Sequence, residues 1–369
     1  MSLNEPVIYL DNAATSWPKP EPVYAAMRAA MREHGGNPGG SHRLSVAAQQ
    51  LVEDTRQDVR RLFNAPSAER VLFTLNGTDA LNLILKGLLT PRDRVLTGPF
   101  EHDSVARPLD SLVHAGASVT RCEAGPAGSV DLDSLRELCR QGADYVVMSH
   151  VSNVTGVIAP VREAAAIAHE HGALFILDAA QSAGSVAIDM QDLRIDALAA
   201  PGHKGLCGPM GTGVLVLGES LPAAALREGG TPNVPGIAGL GAGVRFIQAA
   251  GIGAIGAHAA ALAHTLVDEL SEIDGAQLVG TPEWPQTGVV SFLIDGLDVA
   301  LAGTMLDQSY GIAVRAGLHC APAAHRALGT FPAGTVRASM GPFNTNADVA
   351  ALVRAVLDLA TASAARRAA

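Results

Sequence analysis

Hydrophobic and polar positions follow two alternating patterns over the first two thirds of the chain. Short apolar runs rich in β-branched residues predict strands, and longer stretches with helical spacing separate most of them. The predicted strands are Arg70–Thr74, Arg94–Thr97, Ser118–Arg121, Tyr145–Ser149, Leu174–Leu177 and Val214–Leu217. The predicted helices include Asp79–Leu88, Val105–His114, Leu132–Arg140 and Val161–His171. Strands that alternate with helices predict an α/β fold in which a mostly parallel, buried sheet lies between helices.

The pattern changes after a cluster of glycine and proline at Gly229–Gly236. An Ala-rich helical stretch at about Gly239–Ile273 follows and predicts a passage from a first domain to a second. The last third predicts an α+β arrangement with the elements Val289–Ile294 (strand), Val299–Tyr310 (helix), Val336–Ser339 (strand) and a C-terminal helix from Asp348. We expect residues 16–245 to form a large domain, and residues 1–15 with 246–369 to form a smaller one.

Composition and charge exclude several classes of protein. The 369 residues are 48% hydrophobic and 17% charged, which predicts a large packed interior. A net charge of −10 without a basic cluster argues against a nucleic-acid partner. No uninterrupted apolar stretch has the length of a membrane helix, and Met1–Pro6 lacks the features of a secretory signal, so we expect a cytoplasmic protein without a membrane partner. The four cysteines have no metal-ligand spacing, so we expect neither a metal site nor a disulfide framework.

One lysine lies in a glycine-flanked turn before an apolar strand, in the segment His203-Lys204-Gly205. Such a lysine can form a Schiff base if burial lowers its amine pKa and a shaped cavity surrounds it. Most lysines in such turns are ordinary surface residues, so this segment alone does not decide between the two interpretations.

Asp178 follows the predicted strand Leu174–Leu177 directly. In open α/β sheets, ligands bind outside the carboxyl ends of the strands. A carboxylate at this position can pair with a protonated pyridine nitrogen, or it can cap the next helix. The combination of Asp178 with Lys204 on the next return of the chain is more specific than either residue alone.

The segment Asn76-Gly77-Thr78-Asp79 follows a predicted strand and opens a predicted helix. Backbone N–H groups and the dipole at a helix start favour a phosphate group, and the Thr78 hydroxyl adds a donor. A simple helix-capping turn is the alternative interpretation.

Taken in order along almost the whole chain, these and other segments resemble the class V aminotransferase-like (fold-type I) enzymes that use pyridoxal 5′-phosphate (PLP). Within them, the chain is most similar to the cysteine desulfurases and selenocysteine lyases. The segments that carry the resemblance are Tyr9–Thr15, Asn76-Gly77-Thr78, Glu101-His102, Val151–Gly156, Asp178–Gly184, Gly202–Gly205, Gly230–Asn233, Arg315–Cys320 and Val336–Ser339.

The resemblance implies a fold-type I transferase, with a seven-stranded sheet in a large PLP-binding domain and a catalytic cysteine loop in the smaller domain. It also implies roles around the cofactor. Lys204 would carry the cofactor, Asp178 would pair with the ring nitrogen, and His102 would stack on the ring and take part in catalysis. Asn153 and Gln181 would contact the ring oxygen. The phosphate would be held by Gly77, Thr78, Asp79 and His203, and by Thr231 of a neighbouring subunit in a homodimer.

On the substrate side, the resemblance implies that Arg337 binds the carboxylate of L-cysteine or L-selenocysteine, a task suited to a guanidinium group. Asn12, Ala13 and Arg315 would line the same side. Cys320 would accept the sulfur as a persulfide while cysteine becomes alanine. A thiol reductant or an acceptor protein, for example in iron–sulfur cluster assembly, would then take the sulfur.

The segment His319-Cys320-Ala321-Pro322 is short, and it resembles the group II desulfurases rather than group I, whose loop is longer and mobile. A sulfur acceptor must be a thiolate, which neighbouring cations favour, and His319 and Arg315 are the candidate cations. The other cysteines, Cys122, Cys139 and Cys207, are expected to be buried and structural. Alternative functions are a selenocysteine lyase, another lyase, epimerase or aminotransferase on this fold, and a non-catalytic scaffold.

Two residues depart from the family pattern. Pro201 lies where the family usually has Ser or Thr, and Asp79 lies where many relatives carry Thr or Glu. Because proline offers neither a hydroxyl nor an N–H, we expect one phosphate contact to be missing or replaced.

Overall fold

The computed structural model describes residues 7–125, 129–222, 229–280 and 287–368; Met1–Pro6, on which the signal-peptide prediction rests, lies outside them. The strands are β1 (Ile8–Tyr9), β2 (Val71–Thr74), β3 (Arg94–Thr97), β4 (Ser118–Arg121), β5 (Tyr145–Ser149), β6 (Leu174–Asp178), β7 (Ala197–Pro201), β8 (Gly213–Leu217), β9 (Ala276–Val279), β10 (Val289–Ile294), β11 (Ile312–Ala313), β12 (Arg315–Gly317) and β13 (Thr335–Ser339). The helices are α1 (Glu21–Glu33), α2 (Arg43–Phe63), α3 (Gly77–Leu88), α4 (Asp103–His114), α5 (Leu132–Arg140), α6 (Val161–Glu170), α7 (Val234–Ala250), α8 (Ile252–Ser271), α9 (Val299–Tyr310), α10 (Pro322–Ala327) and α11 (Asn346–Ala368).

The large sheet has seven strands in the order β2-β8-β7-β6-β5-β3-β4, and within it only β8 runs against the others. Side chains alternate between its faces: Phe175 and Leu177 of β6 join the apolar cluster under α2, α5, α6 and α7, whereas Ile176 joins the cluster under α3 and α4. Burial of each such side chain contributes roughly 1.5–3 kcal/mol. The predicted α/β fold, with a mostly parallel sheet between helices, is confirmed.

A second, antiparallel sheet has the order β12-β13-β10-β9 and packs with α8, α9 and α11 around its own apolar cluster. The N-terminal strand β1 belongs to this part of the molecule, because it pairs with β11 and its neighbour Leu10 is buried in the same cluster. The predicted boundaries of the two domains stay a prediction.

Two features of the structure differ from the predicted pattern. The strand β7 was missed, because its sequence Ala-Leu-Ala-Ala-Pro has no β-branched residue, although every residue in it is buried. The Ala-rich stretch at Gly239–Ile273 is not one helix: α7 and α8 meet at Gly251 and are bent by 80°. Gly251 has a φ of +86°, which ends α7 and which glycine adopts readily.

Among the described residues, no single helix is long and apolar enough to cross a membrane, and α7 and α8 pass this criterion only together, across their bend. The same residues contain no group of three or more His, Cys, Asp or Glu side chains placed to hold a metal ion.

Candidate active site

Asp178 is the last residue of β6, and Lys204 follows the neighbouring parallel strand β7, so both lie at the carboxyl edge of the large sheet. Asp178 is 3% exposed. Burial lowers the pKa of Lys204 to about 8, and the nearby Asp178 carboxylate opposes this effect. Burial also raises the pKa of Asp178, against the lowering effect of the Ala180 N–H and the Lys204 charge. The structure therefore places a buried amine with a lowered pKa beside a buried carboxyl group.

The start of α3 lies at the same edge, beyond β2. Asn76 caps the helix, since its side chain accepts a hydrogen bond of 2.9 Å from the Asp79 N–H. The Asp79 carboxylate accepts a hydrogen bond of 2.9 Å from the Leu75 N–H, so the Asp79 side chain closes the turn between β2 and α3. Gly77 packs against Pro201, where a Cβ atom would lie 3.0 Å from the proline Cδ. The turn thus presents backbone N–H groups and the Thr78 residue toward the cavity.

His203 lies directly before the lysine, and its Nδ1 atom is buried without a hydrogen-bond partner among the described residues. Burial lowers the pKa of His203 to about 4, and the charges of Lys204 and Lys19 lower it further. Four donors from the segment 15–19 hold its backbone carbonyl: the Ser16 N–H, the hydroxyls of Thr15 and Ser16, and the Lys19 ammonium at 2.8 Å. The backbone at His203 is thus fixed, and the ring nitrogen Nδ1, which has no partner among the described residues, is available for a ligand.

His102 caps α4 at the end of the loop that follows β3. Its Nδ1 accepts the Ser104 N–H at 3.0 Å, so the proton of the neutral ring is on Nε2. Burial lowers the pKa of His102 to about 4. The preceding Glu101 is 4% exposed, and its carboxylate accepts the Ser149 hydroxyl at 2.6 Å and the Ser149 N–H at 3.0 Å. No role was predicted for Glu101 from the sequence, and the structure shows that it anchors the His102 loop to the end of β5.

Asn153 and Gln181 line the same cavity, with their amide nitrogens engaged by backbone groups. The Nδ2 atom of Asn153 donates to the His319 carbonyl at 2.7 Å, and the Nε2 atom of Gln181 donates to the Ala13 carbonyl at 3.0 Å. Their predicted contacts with a ring oxygen stay a prediction, and they depend on the amide oxygens.

Two arginines enter from the second sheet, where Arg315 of β12 is paired with Arg337 of β13. Arg337 is 2% exposed, and its guanidinium donates to the Asp11 carboxylate and to the Asn153 carbonyl, both at 3.0 Å. Its Nε atom is buried without a partner among the described residues. Asp11 is a functional candidate that the sequence interpretation missed, although it lies inside a segment that carried the resemblance.

Cys320 is exposed, whereas Cys122, Cys139 and Cys207 are buried as predicted. Burial raises the pKa of these three thiols to about 12, 11 and 11, respectively, so they are unreactive near neutral pH. The prediction of His319 as a cation beside Cys320 was wrong. His319 is 5% exposed, and burial with the nearby Arg337 charge lowers its pKa to about 2, so its ring is neutral.

One cavity of about 700 Å³ brings most of the predicted site residues together. Those that line it are Ala13, Gly77, Thr78, Asp79, His102, Asn153, Gln181, His203, Lys204, Arg315, Cys320 and Arg337. Asp178 does not line it but interacts electrostatically with Lys204. Asn12 faces a smaller neighbouring cavity and bonds to Ser339 and Asn344, and Thr231 lies exposed on the surface.

Comparison with known proteins is consistent with this arrangement. The model of the class-V aminotransferase family matches residues 8–226 and 222–352. The chain belongs to this family. It is 35% identical over 95% of its length to a probable cysteine desulfurase of Halalkalibacterium halodurans, and covers 92% of that protein. It is 33% identical over 96% of its length to a probable cysteine desulfurase of Methanothermobacter thermautotrophicus, and covers 94% of that protein.

Among solved structures, this chain is similar to the apo cysteine desulfurase of Thermococcus onnurineus NA1, with a TM-score of 0.89 and 34% sequence identity. The similarity covers 96% of this chain and 95% of that one. This agreement confirms the predicted resemblance and the fold-type I architecture.

Proposed function

We propose that this chain is a PLP-dependent cysteine desulfurase, which converts L-cysteine to L-alanine and transfers the sulfur to Cys320. One observation carries the proposal: the cavity combines the half-buried Lys204, whose amine lies near Asp178, with the buried Arg337 and the exposed Cys320. The relatives named above support the same activity.

The residues of the cavity fit PLP. The His203 Nδ1 atom and the N-terminal turn of α3 supply donors for a phosphate, which a helix start binds well. Asp178 would face the ring nitrogen, His102 would stack on the ring, and Lys204 would hold the cofactor covalently. When bound, PLP supplies an electron sink that makes the Cα proton of an amino acid acidic.

The substrate carboxylate would bind at Arg337, whose Nε has no partner, with Arg315 as a second cation on the adjacent strand. Lys204 has a lowered pKa and would take the Cα proton as a general base. The Cys320 thiolate would attack the substrate sulfur. The new S–S bond forms while the Cβ–S bond breaks, the electron pair stays on the carbon fragment, and protonation of that fragment gives alanine.

The persulfide would be discharged by thiol exchange with a reductant or with the cysteine of an acceptor protein. We further propose a cytoplasmic homodimer in which the exposed Thr231 reaches the phosphate site of the neighbouring subunit, and a role in sulfur supply, for example to iron–sulfur clusters.

The test is the release of alanine and sulfide from L-cysteine in the presence of a reductant, measured for the wild type and for Cys320→Ala. The proposal predicts stoichiometric alanine and sulfide from the wild type, and loss of both in Cys320→Ala although its cofactor absorbance is retained. A keto acid as product would point to an aminotransferase. Turnover of selenocysteine alone, retained in Cys320→Ala, would point to a selenocysteine lyase.

A further inference from the structure

The backbone at the exposed cysteine has an unusual conformation. His319 and Cys320 both have positive φ angles, +51° and +56°, and neither is glycine. Such residues are uncommon in the left-handed region because Cβ approaches the backbone oxygen too closely. Two in a row persist only where surrounding contacts hold them.

We call His319 and Cys320 the left-handed corner. Hydrogen bonds to the carbonyl groups of these two residues hold the corner from the side of the large sheet. The Asp103 N–H donates to the Cys320 carbonyl at 2.8 Å, and the Asn153 Nδ2 donates to the His319 carbonyl at 2.7 Å. The Ala321 N–H closes the turn on the Leu318 carbonyl at 2.9 Å. The loop is therefore tied to the loops that carry His102 and Asn153.

The ring of His319 holds the corner from the other side. Its Nε2 lies 2.9 Å from the Thr335 hydroxyl at the start of β13, and Thr335 is fully buried. The ring packs against that of His325, with centroids 5.5 Å apart. Burial keeps the pKa of His319 far below its ordinary value, so its ring cannot stabilise a thiolate as a cation.

We propose that the buried His319–Thr335 pair is a positioning element, which holds the left-handed corner so that the Cys320 sulfur faces the substrate site. The bonds to the loop carbonyls hold the corner from the side of the large sheet, and the contact of the His319 ring with Thr335 holds it from the side of β13. The inference rests on the proposed desulfurase function, and it adds two residues to it: His319, which lines the cavity, and Thr335, which is buried behind it. A small displacement of a reacting atom can cost a large factor in rate.

The test compares Thr335→Val, which removes the hydroxyl at nearly constant shape, with Thr335→Ser, which keeps it. The matched control is Thr55→Val, because Thr55 is also buried and its hydroxyl donates to the Ile237 carbonyl far from this loop. We expect Thr335→Val to lower kcat for alanine formation by about tenfold or more while KM for cysteine changes less than about twofold. Thr335→Ser and Thr55→Val should stay close to the wild type.

A second measurement does not depend on turnover. Hydrogen exchange at the Ala321 amide of the holoenzyme should be faster in Thr335→Val than in the wild type, since this N–H closes the turn. His319→Asn should give the same faster exchange, because asparagine tolerates the left-handed region but is too short to replace the ring. It serves as the decisive variant if Thr335→Val does not fold.

Unchanged exchange at Ala321, or a kcat for Thr335→Val within about twofold of the wild type, would overturn the positioning role. So would an equal loss of kcat in Thr55→Val. If the wild type releases no alanine from cysteine, the proposed function fails instead, and the exchange measurement still decides whether the pair holds the corner.

Discussion

The Asp11 carboxylate lies 3.0 Å from the Arg337 guanidinium, although 326 residues separate the two in the chain. Arg337 is almost completely buried, so its charge requires a partner, and Asp11 provides one. The Asn153 carbonyl accepts a second bond from the same guanidinium. Among the described residues, only the Nε atom of this guanidinium has no hydrogen-bond partner, and we propose that the substrate carboxylate binds there.

We therefore expect Asp11→Ala to raise KM for cysteine by about tenfold and to destabilise the protein by roughly 3 kcal/mol, because a buried charge loses its partner. Asp11→Asn keeps an oxygen acceptor and should show a smaller effect on both quantities. Steady-state kinetics and urea denaturation measure the two effects. An unchanged KM in Asp11→Ala would mean that Asp11 does not orient the arginine for substrate.

The raised pKa of the buried Glu101 predicts that the stability of the protein depends on pH. Burial raises its pKa from 4.5 to about 7, so between these values the folded protein binds more protons than the unfolded chain. The stabilisation from protonated Glu101 is therefore fully present below about pH 4.5 and is lost as the pH rises through about 7. The free energy of unfolding falls by roughly 3 kcal/mol over this range. Glu101→Gln should remove this slope in urea denaturation between pH 5 and 7.5. A variant with the slope of the wild type would contradict the prediction.

Thiol labelling should distinguish Cys320 from the three buried cysteines. With iodoacetamide at pH 7.5, we expect one of the four thiols of the folded protein to react rapidly, because the others are buried with raised pKa values. Peptide mapping by mass spectrometry should locate the label at Cys320, and Cys320→Ser should lose it. Rapid labelling of Cys207 in the folded state would show that the smaller neighbouring cavity, which Cys207 lines with Asn12, is more open than the structure indicates.

Pro201 should weaken cofactor binding, because it lines the cavity beside Gly77, where we propose that the phosphate binds, and offers neither a hydroxyl nor an N–H donor. We expect Pro201→Ser to lower the dissociation constant for PLP by about tenfold, which corresponds to one added hydrogen bond to a charged group. Pro201→Ala, which adds no donor, is the matched control. Fluorescence titration of the apoprotein measures both, and equal affinities of the two variants would exclude a phosphate contact at this position.

The sequence predicted the elements whose pattern is local. The strand Tyr145–Ser149 and the helix Leu132–Arg140 have the predicted bounds, since β-branched runs and helical spacing are visible within a few residues. The strand β7 was missed because only its position in the middle of the sheet, and not its Ala-rich composition, makes it a strand.

The parts of the site that depend on long-range packing could not be predicted from single segments. The charge of His319 is the clearest case, because its neighbours in sequence gave no sign that Thr335 and His325 would bury it. The pairing of Asp11 with Arg337 is another, since no local pattern relates the two ends of the chain. The residues at strand ends, such as Asp178 and Lys204, were predictable because sheet topology places them together.

The position of the N-terminal segment has a consequence for biosynthesis. The segment 7–19 pairs with β11, binds Arg337 and holds the carbonyl of His203, so it joins the first residues of the chain to some of the last. During translation this segment cannot pair with β11 until residue 313 has left the ribosome. The edge of the large sheet that carries Asp178 and Lys204, built from residues 71–217, can assemble well before that moment. The half of the cavity that contains Arg337, the proposed carboxylate-binding residue, therefore matures later, and a nascent chain that ends before β11 cannot complete it.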